Sequence, residues 1–204
     1  NNVTITASDG DLSTSETFSI TIINANDAPT TTSIPDIIGN ENVNFSMDVS
    51  NYFSDPDEDL GDQLTYTGIN IPQTLNLTED GIITGIPSNE DAINSPISIA
   101  IIATDSSGLQ SINQFDLTIE NANNTPTSID IPNISSVEGS SFALNVANYF
   151  SDVDEEFGDQ LTYTSTNLPS SVTLSEDGII VGFPTNDDAI NSPITVTITA
   201  TDSE

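Results

Sequence analysis

Asn51-Tyr52-Phe53-Ser54-Asp55 returns later in the chain as Asn148-Tyr149-Phe150-Ser151-Asp152, and Gly61-Asp62-Gln63-Leu64-Thr65-Tyr66-Thr67 returns as Gly158 to Thr164. Both recurrences have an offset of 97 residues. So do Asp80-Gly81-Ile82-Ile83, again from Asp177, and Asp91-Ala92-Ile93-Asn94-Ser95-Pro96-Ile97, again from Asp188. From Asn51 to Ser106 the two copies align without a gap, and 37 of 56 positions are identical. Self-similarity at a fixed period marks a packing unit repeated along the chain. The unit here is a domain of about 97 residues in tandem.

Outward from those blocks, Val3-Thr4-Ile5-Thr6-Ala7-Ser8-Asp9 matches Val196-Thr197-Ile198-Thr199-Ala200-Thr201-Asp202. Residues 1–28 therefore read as the C-terminal hairpin of a preceding repeat, 29–125 as a complete repeat, and 126–204 as the next one without its last strand. The expectation is a window on a longer array, because folded domains seldom leave a half-built sheet edge open.

The periodicity inside a unit is that of strands. Phe115-Asp116-Leu117-Thr118-Ile119-Glu120, Phe45-Ser46-Met47-Asp48-Val49 and Thr195-Val196-Thr197-Ile198-Thr199 alternate apolar and polar residues, the signature of a half-buried sheet. Turn signals such as Glu79-Asp80-Gly81 and Ser106-Ser107-Gly108 recur between them. No stretch carries a helical period. About seven short strands per unit predicts an all-β, immunoglobulin-like sandwich. Val3–Ile23 and Ile97–Glu120 read as final hairpins, with Phe18 and Phe115 at matching core positions.

Composition narrows the function. The 204 residues contain 32 Asp and Glu and no Lys, Arg, His or Cys, for a net charge of −32. Phosphate binding needs cationic side chains, so nucleic acid and anionic membrane surfaces are excluded as partners. No apolar run approaches the roughly 18 residues of a membrane-spanning helix, and membrane insertion is not expected of this segment. The usual bases, thiol nucleophiles and oxyanion clamps are missing, so catalysis is not expected. Paired carboxylates can run glycoside hydrolysis, but these recur with the repeat, which suits a structural role better than a unique cleft.

The acids cluster in Asp55-Pro56-Asp57-Glu58-Asp59-Leu60-Gly61-Asp62 and again in Asp152-Val153-Asp154-Glu155-Glu156-Phe157-Gly158-Asp159. Alternate carboxylates on a turning loop can converge on a hard cation, and calcium takes six to eight oxygens. No side chain of this protein can supply the opposing charge. Asp55, Asp57 and Asp59, at every second residue, offer one geometry confined to the loop; the other reading is an acidic loop left to solvent.

The order of motifs also resembles a family. Each unit has an early Glu (Glu41, Glu138), an Asp-x-Asp (Asp55 and Asp57, Asp152 and Asp154), an Asp-Gly turn followed by an acidic pair (Glu90-Asp91, Asp187-Asp188), and an Ala-Thr-Asp (ending at Asp105 and Asp202). Between units stand Asn24-Ala25-Asn26-Asp27-Ala28-Pro29 and Asn121-Ala122-Asn123-Asn124-Thr125-Pro126. The whole chain resembles the cadherin-like repeats of bacterial surface proteins, most of all the dystroglycan-type subgroup. That resemblance implies calcium at the joints between repeats. For the joint at 121–126 it implies Glu41, Glu90 and Asp91 from the preceding unit, Glu120, Asn123 and Asn124 from the linker, and Asp152, Asp154 and Asp202 from the following unit. For the joint at 24–29 it implies Asn26, Asp27, Asp55, Asp57 and Asp105. The acidic-Arg-acidic motif of animal cadherins is absent, Asn124 stands where the other linker has Asp27, and Ile23 stands where the second has Glu120.

Three functions follow as expectations. The first is a spacer segment of an extracellular adhesin or surface filament, stiffened by calcium and partnered by its neighbouring repeats. The second is a carbohydrate-binding module, for which Tyr66 and Tyr163 are the candidate sugar-stacking aromatics, the alternative being core. The third is homotypic assembly in which a neighbour donates a strand. Five N-x-S/T sequons, at Asn2, Asn44, Asn76, Asn123 and Asn133, are candidate glycan acceptors.

Overall fold

The computed structural model describes residues 2–203. The chain opens on a two-stranded hairpin, β1 (Asn2–Ser8) and β2 (Ser13–Ser19). The first full repeat follows: β3 (Thr30–Thr31), β4 (Ile37–Asn40), β5 (Phe45–Asp48), β6 (Phe53–Ser54), β7 (Thr65–Ile69), β8 (Leu75–Leu77), β9 (Ile82–Gly85), a one-turn helix α1 (Asn89–Ile93), β10 (Ile97–Thr104) and β11 (Gln110–Glu120). The second repeat runs β12 (Thr127–Ser128), β13 (Phe142–Asn145), β14 (Phe150–Ser151), β15 (Thr162–Thr166), β16 (Val172–Leu174), β17 (Ile179–Gly182), α2 (Asn186–Ile190) and β18 (Thr197–Thr201).

The first repeat is a sandwich. One sheet has the order β4-β11-β10-β7, with β4 parallel to β11, and the other has β5-β9-β8. The two-residue ribbon β3-β6 completes the seven longer strands. Alternation along β10 and β11 turns Ile99, Ile101, Ala103, Phe115, Leu117 and Ile119 inward, where they meet Val49, Leu75 and Ile83 of the other layer. Burying an apolar side chain of that size contributes about 1.5–3 kcal/mol. Tyr66 belongs to this core, edge-on to Phe53 with ring centroids 5.5 Å apart, and Tyr163 repeats the arrangement with Phe150. Neither ring is a sugar-stacking surface.

Two expectations change. Short helices α1 and α2 appear where no helical period is visible. One turn is too short to show a period; each is set by a capping box, Ser88 with Asp91 and Thr185 with Asp188. The second repeat is also thinner than its sequence suggests. Residues 134–137, counterparts of β4, form no strand, and β18 starts at Thr197 rather than Thr195. In the first repeat, β4 and the first three residues of β10 pair only with β11. Among the described residues the second repeat has no strand in the position of β11. Phe18, likewise, is 46 % exposed on the isolated hairpin, whereas Phe115 is 3 % exposed.

Candidate metal centre

After β6 the chain makes a 3-10 turn over Glu58–Leu60 and leaves it through Gly61 at φ 100, a left-handed conformation that favours glycine. The turn brings Asp62 back beside Asp55, and Asp105 joins them from the end of β10. Donor oxygens of Asp55, Asp62 and Asp105 lie within 4.8 Å of one another. The second repeat builds the same triad from Asp152, Asp159 and Asp202, with its turn over Val153–Phe157 closed by Gly158 at φ 100. Two oxygens on opposite sides of one calcium ion lie about 4.6–5.2 Å apart, twice the usual bond length, so the spacing suits a single ion.

The hydrogen bonding gives an independent indication. Asp55 Oδ2, Asp152 Oδ2 and Asp159 Oδ2 are buried and accept no hydrogen bond. Asp55 and Asp159 are 8 % and 7 % exposed. A buried, unpaired anionic oxygen is strongly unfavourable, and among the described residues no cationic side chain exists to relieve it. Hard carboxylate oxygens without partners are the donor set that calcium prefers. Asp55 and Asp62 also line an open groove of about 690 Å³, which leaves that triad accessible from solvent.

The other oxygens are pre-set as anions. The hydroxyl and backbone N–H of Ser106 hold the Asp62 carboxyl below the usual carboxylate range, and Ser203 does the same for Asp159. Burial pushes Asp105 upward, but donors from Asn26, Leu109 and Ser107 outweigh it and leave it lowered. Hydrogen bonds to the charged form explain all three directions.

The linkers wrap these poles. In the first, Asn24 Nδ2 donates to Asp57 Oδ1 (2.8 Å), the Asp27 N–H to Asp57 Oδ2 (2.7 Å), and Asn26 Nδ2 to Asp105 Oδ2 (2.9 Å). In the second, the Asn124 N–H donates to Asp154 Oδ2 (2.6 Å), and Asn89 Nδ2, from the helix of the preceding repeat, donates to Asp154 Oδ1 (2.9 Å). Glu41, 2 % exposed, accepts from Asn124 Nδ2 (3.0 Å), Asn42 Nδ2 (3.2 Å) and the Ala122 N–H (3.2 Å).

Hydrogen bonds thus bring Glu41, Asn124 and Asp154 together at the joint between the two repeats, while Asp152 and Asp202 meet in the triad of the following repeat. At the earlier linker Asn26 meets Asp105, and Asp27, itself exposed, reaches Asp57 only through its backbone N–H; Asp55 meets Asp105 in the triad. Asp91 is turned into its own repeat, where it accepts from Ser88 N–H, Ser88 Oγ and Thr74 Oγ1. Glu90, Glu120 and Asn123 are exposed; the Glu120 carbonyl accepts from the Glu41 N–H. Asp59 is exposed and belongs to neither triad, and Asp57 accepts from the linker instead. Asp62 and Asp159 were legible as exact repeats in Gly-Asp-Gln-Leu-Thr-Tyr but carried no spacing that marked them as ligands. Asn89 carried no such mark either.

The family model described as "Putative Ig domain" matches residues 28–120 and again 125–204. The chain belongs to that immunoglobulin-like family, in two tandem copies. Its fold is also that of cadherin domains. PcdhgB3 EC1-4 superposes with a TM-score of 0.60 at 18% identity, over 100% of this chain and 55% of that one. The protocadherin gamma B7 extracellular domains 1-4 give 0.53 at 17% identity, over 100% and 56%. The protocadherin gamma B2 domains 1-5 give 0.50 at 18% identity, over 93% and 41%. The chain thus spans little more than half of these structures at most. No curated protein matches the sequence.

Proposed function

We propose that these repeats are spacer modules of an extracellular adhesin or surface filament, of the bacterial dystroglycan-type cadherin-like kind, with calcium bound at their joints. The observation that carries this reading is the Asp triad, built from corresponding residues in both repeats, with at least one buried oxygen in each that accepts no hydrogen bond. Asp55, Asp62 and Asp105 would hold one ion, and Asp152, Asp159 and Asp202 another. Bound calcium would supply the positive charge that no side chain provides, tying the acidic loop to the end of β10 or β18. Repeats that contact mainly their neighbours build length economically, which makes neighbouring repeats the proposed partners. A glycan-binding face receives no support, since Tyr66 and Tyr163 lie in the cores.

Thermal unfolding in calcium and in excess chelator tests the reading. A ligand at about 100 times its Kd stabilises the folded state by about 2.7 kcal/mol, so calcium should raise Tm by several degrees and magnesium by less. An unchanged Tm, together with no heat of calcium binding, would remove calcium from the proposal.

A further inference from the structure

The buried carboxylates divide by how their oxygens are satisfied. Asp55, Asp152 and Asp159 each keep an oxygen with no partner, and all three belong to the triads. Both oxygens are occupied in Asp105 of the first triad, 5 % exposed, which accepts from Asn26, Ser107 and Leu109, and in Glu41, Asp57 and Asp154, which are 2 %, 4 % and 2 % exposed. Their donors are amides: Asn24 and Asp27 N–H on Asp57, Asn89 and Asn124 N–H on Asp154, and Asn42, Asn124 and Ala122 N–H on Glu41. The residues that join one repeat to the next are thus those already satisfied, and the residues that lack a partner lie within a single repeat.

We propose that the joint between the two repeats holds one cation, in the triad Asp152, Asp159 and Asp202 of the following repeat, and is clamped without metal by Asn amides. This rests on the calcium reading for the triad, but not for the clamp. Asn89, Asn124 and Asn42 deliver the positive ends of their dipoles to Glu41 and Asp154, where a bridging ion would otherwise be needed. Hydrogen bonds to a charged acceptor contribute more than neutral ones, and a neutral amide can be buried without a counter-charge. The clamp also accounts for the difference between the linkers. Asn124 occupies the position of Asp27, and a carboxylate there would stand 3.0 Å from Glu41 Oε1, where the amide nitrogen now donates.

Native mass spectrometry and calcium titration of the 204-residue chain test the stoichiometry. Two ions per chain are expected, one per triad. Glu41→Gln should leave both affinities within about twofold, and Asp159→Asn should weaken one site at least tenfold, with circular dichroism confirming the fold. Three or more ions, or a tenfold loss in Glu41→Gln, would overturn the single-ion joint. The chain has no cysteine, so Asn76→Cys and Thr173→Cys place spin labels on exposed strands of the two repeats. Their distance distribution should stay narrow in chelator and broaden in Asn89→Ala with Asn124→Ala. Asn124→Asp should make its width calcium-dependent. Broadening of the unsubstituted joint in chelator would overturn the clamp. No bound calcium, with a narrow distribution, would overturn the calcium reading and leave the clamp standing.

Discussion

Ile101 of β10 is fully buried, whereas Ile198, its counterpart in β18, is only partly covered; Ala103 and Ala200 differ in the same way. Among the described residues, the hydrophobic core cluster has thirteen buried members in the first repeat and four in the second. Those four, Val146, Tyr163, Val172 and Ile180, correspond to Val49, Tyr66, Leu75 and Ile83. This half of the core closes between β13, β15, β16 and β17 without any final strand. The other half needs the strand that carries Phe115, Leu117 and Ile119. The acidic poles, by contrast, use corresponding residues in both repeats: two carboxylates come from the loop after β6 or β14, and the third is the residue that follows β10 or β18.

The largest test of this contrast is a matched pair in the core. Ile101→Ala should cost about 3 kcal/mol, the middle of the range for a buried aliphatic truncation. Ile198→Ala should cost about 1–2 kcal/mol, since less apolar area is lost. Chemical denaturation of each variant reads the difference, and equal losses would show that the second core is as well packed as the first.

A second pair should instead behave alike. A Cβ on Gly85 would collide with the Thr74 carbonyl oxygen, and one on Gly182 with that of Ser171. Each backbone obstacle comes from the segment entering the neighbouring strand, present in both repeats. Gly85→Ala and Gly182→Ala should therefore each cost about 2 kcal/mol, as overpacking does. A tolerated change in one repeat alone would mean that its sheet can shift.

The helix caps give a smaller matched effect. Ser88→Ala and Thr185→Ala each remove a capping-box hydroxyl and should lower stability by about 1 kcal/mol in thermal melts. The smallest effect concerns acid. Asp62 and Asp159 have lowered folded-state pKa values because of Ser106 and Ser203. Their contribution is therefore complete above the unfolded value, about 3.9, and is lost as pH falls through the depressed one. In chelator, Ser106→Ala and Ser203→Ala should each flatten the fall of stability below about pH 4, followed by denaturant titration at each pH. An unaltered slope would remove the serine from the account.

Much of the fold can be read directly from the residues. The 97-residue recurrence and the alternation in Phe115–Glu120 point to tandem sandwiches, because side-chain direction in a strand follows from chain position alone. Asp55, Asp57, Asp105 and their counterparts are legible as candidate ligands for the same local reason. What each carboxylate faces is not local. Asp62 lies far in sequence from Asp105 and meets it only because β7 pairs with β10, setting Thr65 opposite Thr104. Asp91 leaves the joint because a helix cap claims its oxygen.

The sequence by itself determined that no carboxylate here can be neutralised by a charged partner, since composition admits none. It also determined the repeat and the strand character. Only the tertiary structure decided how each acid is accommodated. Hydrogen-bond donors and competing oxygens are brought within 3 Å by strand pairing and linker path, so the packed fold alone separates Glu41 and Asp154, held by amides, from Asp55, Asp152 and Asp159, which keep an oxygen without a partner.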